Sequence, residues 1–176
     1  TEHGFPDPES AAEEVLLITV QDYNTKKIIT WGQTKHGDFN NKQSNVDFRP
    51  CYDEHHLLNS FLDWWTSDTP DVVTGWNLEY YDIPYLCNRI EKLLGSKTMK
   101  TLSPWKLVSD EKHFIKGQEK LYYDIAGVTQ LDYLNLYKKF TYTNQESYRL
   151  DHIADVELGQ KKLDHSEFDT FKDFYT

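Results

Sequence analysis

The chain has little of what several protein classes require. It contains two cysteines and one methionine in 176 residues, no Cys-x-x-Cys pair and no apolar run long enough to span a membrane. Structural zinc and a disulfide framework are therefore not expected, and we predict that Cys51 and Cys87 are reduced, buried thiols. No signal peptide is apparent, which predicts a soluble intracellular protein. Because the chain opens at Thr1 without an initiator methionine, we expect it to be part of something longer.

An excess of basic residues is also missing. The 19 Lys and Arg residues face 29 Asp and Glu residues, which gives a formal net charge of −10. This charge argues against sequence-independent duplex binding, which requires a basic surface. A nucleic-acid enzyme stays open, because carboxylates that hold Mg²⁺ or Mn²⁺ form a local acidic site that the metal neutralises. Aromatic residues make up 15% of the chain, and we expect them to serve mainly in packing.

Hydrophobic patterning predicts an α/β domain with a mixed sheet flanked by helices. Asp53 is a suitable N-cap for the first helix, and residues 33–45 are predicted as a polar loop. The predicted strands cover 15–23 and 27–31 as a hairpin, 71–76, a second hairpin over 106–124 around Gly117, and 128–131. The predicted helices cover 54–66, 83–94, 96–102, 133–140 and 147–158.

The stretch 71–89 carries the strongest candidate for chemistry. It is predicted to contain a short buried strand, a loop opened by Asn77, and a helix with Asp82 at its start. A carboxylate at a helix N-terminus is stabilised by roughly 0.3–1 kcal/mol, so Asp82 as a simple N-cap and Asn77 as a turn residue are one interpretation. The other is that Asp82 is a metal ligand at the end of a central strand.

The segment TGWNLEYYDIPY, residues 74–85, resembles the second exonuclease motif, Asn-x-x-x-(Phe/Tyr)-Asp, of family B DNA polymerases, which belong to the DEDD 3′–5′ exonucleases. Further segments resemble the T-even-type phage replicative polymerases and occur in the same order. These are residues 4–8, 88–90, 102–104, 131–140 and 143–151. Residues 22–48 and the last residues diverge.

The resemblance implies an RNase H-like domain over residues 1–176 that removes the 3′-terminal nucleotide, with four carboxylates holding two Mg²⁺ or Mn²⁺ ions. It implies that Asp82 is a catalytic, metal-binding aspartate and that Asn77 and Tyr81 lie beside the single-stranded 3′ end of the primer. Phe5 resembles a phenylalanine that stacks against the terminal bases. The hairpin over about 106–123 resembles an inserted hairpin that helps to separate primer from template.

The resemblance also shows which motifs are missing. The first motif, Asp-x-Glu, should precede Gly4, where Glu2 is the single acidic residue and an alternative candidate for the motif's glutamate. Residues 7–9 and 155–157 have the Asp-x-Glu spacing, but the first is flanked by prolines and the second lies on a predicted helix. No tyrosine has an aspartate four residues later, so the third motif, Tyr-x-x-x-Asp, is absent.

We therefore expect this chain to be inactive alone, with the remaining polymerase domains as partners in a longer parent and the cytoplasm of an infected bacterial host as its location. Without the first-motif strand, residues 15–20 or 72–76 are expected to leave an unpaired edge, which predicts a homodimer. Two alternatives stay open: a non-catalytic exonuclease-like module that binds DNA or has a structural role, and a stand-alone DEDD nuclease.

Overall fold

The computed structural model describes residues 6–34, 44–115 and 117–161. Within these residues it contains seven strands and five helices. The strands are β1 (Leu17–Gln21), β2 (Ile28–Gln33), β3 (Val46–Cys51), β4 (Val72–Gly75), β5 (Val108–Ile115), β6 (Gln118–Ile125) and β7 (Thr129–Asp132). The helices are α1 (Glu54–Ser67), α2 (Asp82–Leu94), α3 (Ser96–Met99), α4 (Tyr133–Phe140) and α5 (Leu150–Leu158).

The strands of the described ranges form three sheets rather than the one mixed sheet that we predicted. The first has the order β1-β2-β3, in which β1 and β2 form the predicted antiparallel hairpin and β3 pairs with β2 in parallel. The second is the parallel pair β4-β7, and the third is the antiparallel hairpin β5-β6. The α/β class is confirmed, and among these strands β1 and β4 each pair on one side alone, as expected of edges.

Strand β3 was not predicted. Its sequence, VDFRPC, alternates poorly and contains Pro50. A proline is tolerated because β3 lies at the end of its sheet, where one side of the strand needs no ladder hydrogen bond. Pairing with β2, which precedes it in the sequence by more than ten residues, therefore decides that this segment is a strand.

Helix α1 follows the local signals of its sequence. The Asp53 carboxylate accepts the N–H of His56 at 2.8 Å, which confirms the predicted N-cap. The apolar stripe on the helix is buried against the core, and each such side chain contributes about 1.5–3 kcal/mol when it leaves water. Its members are Leu57, Leu58, Phe61, Leu62 and Trp65.

Trp31 of β2 joins the first sheet to α1. Its side chain is fully buried, its ring meets that of Phe61 edge-on at 5.4 Å, and its indole N–H donates to the Ser60 hydroxyl at 3.1 Å. The edge-on geometry and the satisfied N–H make this a specific contact rather than loose apolar packing. Sheet and helix therefore share one core, which also buries Ile90 of α2 and Ile125 of β6.

Among the boundaries that differ from the prediction, two are those of β2 and α5. Strand β2 continues to Gln33, where a loop was expected to begin, and residues 35–43 of that loop lie outside the described ranges. Helix α5 begins at Leu150 rather than at Ser147. The Arg149 backbone is extended and its N–H is donated to the Ser147 hydroxyl at 3.3 Å, so Ser147 closes a turn before the helix instead of capping it.

The structure describes both cysteines and the lengths of several helices. Both cysteines are free and buried, as predicted, and burial raises the pKa of the Cys87 thiol. In the parts of the chain that the structure describes, every helix is too short or too polar to cross a bilayer.

Candidate active site

The candidate site lies where β4 and β7 end side by side. Gly75 and Asp132, the last residues of the two parallel strands, are paired in register. After β4 the chain forms a 3-10 turn, Leu78–Tyr80, and then α2. After β7 it continues directly into α4. Ligands of α/β sheets bind outside the carboxyl ends of the strands, so this is the end at which a functional carboxylate is expected.

Asp82 is the first residue of α2, and Tyr81 occupies the N-cap position without a side-chain capping bond. The interpretation of Asp82 as the N-cap is therefore wrong. Asp82 is an exposed residue, yet the protein around it partly desolvates its carboxyl group. Desolvation raises the pKa of Asp82 to about 6; its own backbone N–H opposes that shift and the charge of Asp132 adds to it.

Asp82 also lacks a compensating cation. No Lys, Arg or His of the described ranges lies within 4.0 Å of its carboxylate. An ionised carboxylate that is partly desolvated, close to another carboxylate and without a basic partner destabilises the folded state. A bound cation would remove both penalties, which is why such groups are candidates for functional sites.

Asn77 lies in the loop between β4 and α2 with a left-handed backbone, φ 63° and ψ 25°. Asparagine adopts this conformation more readily than most residues, so the sequence signal for a turn is confirmed. The backbone N–H of Asn77 is donated to Asp132 Oδ1 at 3.0 Å. Asn77 and Asp82 are thus brought to the same end of the β4-β7 pair.

Tyr81 is half-buried directly before Asp82. Its ring lies 6.0 Å from that of Tyr85, and burial, with smaller contributions from Tyr85 and Asp82, raises the pKa of Tyr81 to about 12. The Tyr85 hydroxyl donates a hydrogen bond to the Glu13 carbonyl at 2.6 Å, which holds the Tyr85 ring of this pair in place. The phenol of Tyr81 is therefore neutral near pH 7, and it belongs to the residue directly before Asp82.

Glu79 is the second carboxylate of the loop. Its Oε2 accepts the amide of Asn135 at 2.9 Å, which links the loop to α4. Burial and, to a smaller extent, the charge of Asp132 raise the pKa of Glu79. Glu79 is thus engaged with α4, whereas the Asp82 carboxylate is exposed.

Asp132 is the residue of this site that sequence reasoning missed. It is buried, with 3% of its surface exposed, and caps α4 by accepting the Leu134 N–H at 2.9 Å. It also accepts the N–H groups of Asn77 and Glu79. An acidic residue between a predicted strand and a predicted helix signals an N-cap, but the contacts to residues 77 and 79 depend on a strand pairing that spans more than fifty residues.

Two other predicted site residues, Phe5 and Glu2, lie outside the described residues. The two segments that have the Asp-x-Glu spacing, residues 7–9 and 155–157, do not lie on strands, as expected. Asp7 closes a turn by accepting the Ser10 N–H at 2.9 Å, so residues 7–9 are not on a strand. Residues 155–157 lie within α5.

A shallow depression of about 490 Å³ lies away from this site. It is lined by Asp71, Asp124 and the segment 125–130, at the amino ends of β4 and β7. Its position at the opposite end of the strand pair separates it from Asp82. We assign no chemistry to it.

The carboxylates of the described ranges do not complete a metal centre by themselves. In those ranges no group of three or more His, Cys, Asp or Glu side chains converges. Asp82 is available as one oxygen ligand, whereas Asp132 is occupied by backbone N–H groups. Mg²⁺ needs several converging oxygen ligands or keeps its waters, so further ligands would have to come from outside the described residues.

Comparison with known proteins identifies the class. The family model described as "DNA polymerase family B, exonuclease domain" matches residues 1–153. The chain therefore belongs to the exonuclease-domain family of the family B DNA polymerases. Exonuclease domains of this family generally use divalent metal ions.

Similar proteins include three viral DNA polymerases. The DNA-directed DNA polymerase of Escherichia phage RB69 is 42% identical over 123 residues, and that of Enterobacteria phage T4 is 38% identical over 118 residues. Each match covers 67% of this chain and 13% of the relative. The DNA polymerase catalytic subunit of Human herpesvirus 7 is 26% identical over 170 residues, covering 90% of this chain and 16% of the relative. The resemblance to T-even-type phage polymerases is confirmed, and the chain spans about an eighth of the length of those phage relatives.

Proposed function

We propose that this chain belongs to a 3′–5′ proofreading exonuclease domain in a T-even-type phage DNA polymerase. In this proposal its fold is RNase H-like, and β5-β6 is the hairpin inserted into it. Asp82 is one of the carboxylates that hold divalent metal ions. The observation that carries the proposal is the Asp82 carboxylate at the carboxyl end of a parallel strand pair, where it is exposed and has no basic partner among the described residues.

The chemistry follows from the position of Asp82. Two Mg²⁺ or Mn²⁺ ions in such a site would activate the attacking water and stabilise the leaving 3′ oxygen. Asp82 supplies one anionic oxygen donor from the rigid first turn of α2, where the backbone is held by helical hydrogen bonds. Its raised pKa is a property of the metal-free site, since a nearby cation favours the ionised carboxylate.

The residues around Asp82 suit a single-stranded 3′ end. Asn77 supplies a polar side chain and Tyr81 a neutral phenol at the same end of the strands, and an aromatic ring can stack on any base. We assign Phe5 a stacking role on the terminal bases and the β5-β6 hairpin a role in separating primer from template. Glu2 is retained as a candidate for the glutamate of the first motif.

We further propose that the chain is inactive by itself, because the described residues contribute a single available carboxylate. The remaining ligands would be supplied when this segment is joined to the rest of a polymerase, which would act in the cytoplasm of an infected bacterial host. In isolation, the edges of β1 and β4 that no described strand covers would favour homodimers. Sedimentation equilibrium measures this directly, and a monomer at tens of micromolar would contradict it.

The test of the proposed activity uses the polymerase that carries this domain and a 5′-labelled single-stranded DNA with Mg²⁺. We expect products that shorten by one nucleotide from the 3′ end. Asp82→Ala should slow excision by roughly a thousand-fold, the scale of removing a group that stabilises transition-state charge. The matched control is Asp63→Ala, which removes an exposed aspartate of α1 and should leave excision unchanged.

The alternative function is a non-catalytic module that binds DNA without cleaving it. Its distinguishing outcome is binding of single-stranded DNA, measured by fluorescence anisotropy, without excision by the unmodified polymerase. Equal excision by the wild type and Asp82→Ala would reject the metal-ligand role instead.

A further inference from the structure

Asp132 makes more contacts than a helix cap requires. Its Oδ1 accepts the N–H of Leu134 at 2.9 Å, which is the usual hydrogen bond of an N-cap residue. The same oxygen accepts the N–H of Asn77 at 3.0 Å, and Oδ2 accepts the N–H of Glu79 at 3.1 Å. One carboxylate therefore connects two segments that are more than fifty residues apart.

This carboxylate is stabilised by backbone dipoles rather than by a cation. Asp132 is 3% exposed, and no basic side chain of the described ranges lies within ion-pair distance of it. Three N–H donors satisfy most of the hydrogen-bonding capacity of a buried carboxylate. Asp132 therefore has little capacity left to bind a metal ion itself.

The two long-range contacts act on the loop that leads into α2. They hold the N–H groups on either side of Leu78, at the start of the 3-10 turn that ends one residue before Tyr81. The Glu79 carboxylate adds a second connection by accepting the Asn135 amide at 2.9 Å. The path from β4 to Asp82 is thus fixed to the end of β7 and to α4 at several points.

We propose that Asp132 is a positioning residue for the exonuclease site: it fixes the 77–79 loop and so sets where Asp82 presents its carboxylate. This inference rests on the proposed function, because it assigns Asp132 a role in placing a metal ligand. It predicts that loss of Asp132 impairs excision through geometry, while binding of the DNA strand is largely retained.

The experiment compares Asp132→Asn with Asp53→Asn in the polymerase that carries this domain. Both aspartates cap a helix, but Asp53 accepts only a local N–H, that of His56, at the start of α1. Asparagine keeps the shape of the side chain at position 132 but places an NH₂ group against a backbone N–H. We expect Asp132→Asn to lower kcat for excision about 10–100-fold, the range for residues that orient metal ligands, and to change KM for DNA less than 3-fold.

A structural readout accompanies the kinetics. With this chain ¹⁵N-labelled, amide hydrogen exchange of Asn77 and Glu79 should accelerate about 10-fold or more in Asp132→Asn and stay unchanged in Asp53→Asn. If Asp132→Asn fails to fold, Asn135→Ala removes the second connection alone. That variant should then lower kcat for excision about 2–5-fold without a change in KM, a smaller effect than the 10–100-fold expected at position 132, because the contacts of Asp132 remain.

Each outcome decides the inference. Unchanged kcat in Asp132→Asn, or a loss no larger than that of Asp53→Asn at equal folded fraction, overturns the positioning role. A rise in KM with constant kcat also overturns it, because it assigns the residue to DNA binding. If Asp82→Ala excises normally, the proposed function has failed, and that result is separate from any effect at position 132.

Discussion

Arg89 of α2 and Glu54 of α1 form a buried bidentate ion pair. Arg89 Nε lies 2.7 Å from Glu54 Oε1, and Nη2 lies 2.6 Å from Oε2. The third guanidinium nitrogen donates to the carbonyls of Ala11 and Ala12 at 3.0 Å each. The pair therefore fixes two helices and the N-terminal segment in one arrangement, as expected of a planar, five-donor guanidinium.

We predict that Arg89→Met destabilises the chain by about 3–5 kcal/mol, because it leaves the Glu54 carboxylate buried and unpaired. The measurement is the free energy of unfolding from urea titration followed by tryptophan fluorescence. The control is Arg49→Met, which removes a more exposed ion pair to Asp47 and should cost about 1 kcal/mol or less. Equal losses in the two variants would show that burial of the pair is unimportant.

The ionised Asp82 carboxylate should lower the free energy of unfolding of the metal-free chain. Since its pKa is raised from 3.8 to about 6, the folded state holds more protons than the unfolded state between these values. Stability therefore falls as pH rises through this window, and the penalty persists above it. Asp82→Asn should stabilise the metal-free chain at pH 8 by on the order of 1 kcal/mol, a value reduced from the full shift because the side chain is exposed.

The check on Asp82 is thermal unfolding in EDTA at several pH values. The gain from Asp82→Asn should disappear below about pH 4, where both folded and unfolded states are protonated. Asp63→Asn, on the exposed face of α1, serves as the control and should show no such pH dependence. A stabilisation of Asp82→Asn that is the same at pH 4 and pH 8 would mean that the carboxyl is not the cause.

Gly127 should tolerate no side chain. It has a positive φ of 91°, and a Cβ there would lie 2.7 Å from Pro104 Cγ. Gly95, at the C-terminus of α2, has a similar φ of 87° but open space around it. We predict that Gly127→Ala costs about 2–4 kcal/mol, from backbone strain and overpacking together, and Gly95→Ala about 1–2 kcal/mol from strain alone. Urea unfolding of both variants measures the difference, and equal costs would contradict the contact with Pro104.

Tyr123 of β6 supports the N-terminal segment through Asn88. The Tyr123 hydroxyl donates to Asn88 Oδ1 at 2.6 Å, and the Asn88 amide donates to the Pro8 carbonyl at 2.8 Å. Tyr123→Phe should cost about 1–3 kcal/mol, because it removes the donor to a partly buried acceptor. It should also raise hydrogen exchange at Ala11, whose N–H is bonded within the Asp7 turn. Unchanged exchange there would show that the segment does not depend on this chain of hydrogen bonds.

Much of the fold could be predicted because its signals are local. The cap at Asp53, the apolar stripe of α1 and the turn at Gly117 each depend on residues close in sequence, and the structure contains all three. Strand β3 could not be predicted, because its pattern is interrupted by Pro50 and its conformation depends on pairing with β2. The start of α5 was misplaced because a serine closes turns as readily as it caps helices.

The residues of the candidate site could be proposed from the sequence in part for the same reason. Asp82 and Asn77 were found through their motif, which is a continuous stretch of sequence. The role of Asp132 could not be found in this way, since it depends on the register that brings Gly75 opposite Asp132. Neither the availability of Asp82 nor the occupation of Asp132 by backbone N–H groups is encoded in a short pattern.

The central claim is that Asp82 is a metal ligand. Mn²⁺ titration of the polymerase that carries this domain, with the ¹⁵N label confined to the domain, tests it most directly, because the remaining ligands are then present. Paramagnetic broadening of amide signals reports which residues lie near the bound ion, whether or not excision occurs. We predict that broadening at the lowest Mn²⁺ concentrations centres on the first turn of α2 and is lost in Asp82→Ala but kept in Asp63→Ala. Broadening that is centred elsewhere on this acidic chain, or that is unchanged in Asp82→Ala, would contradict the claim.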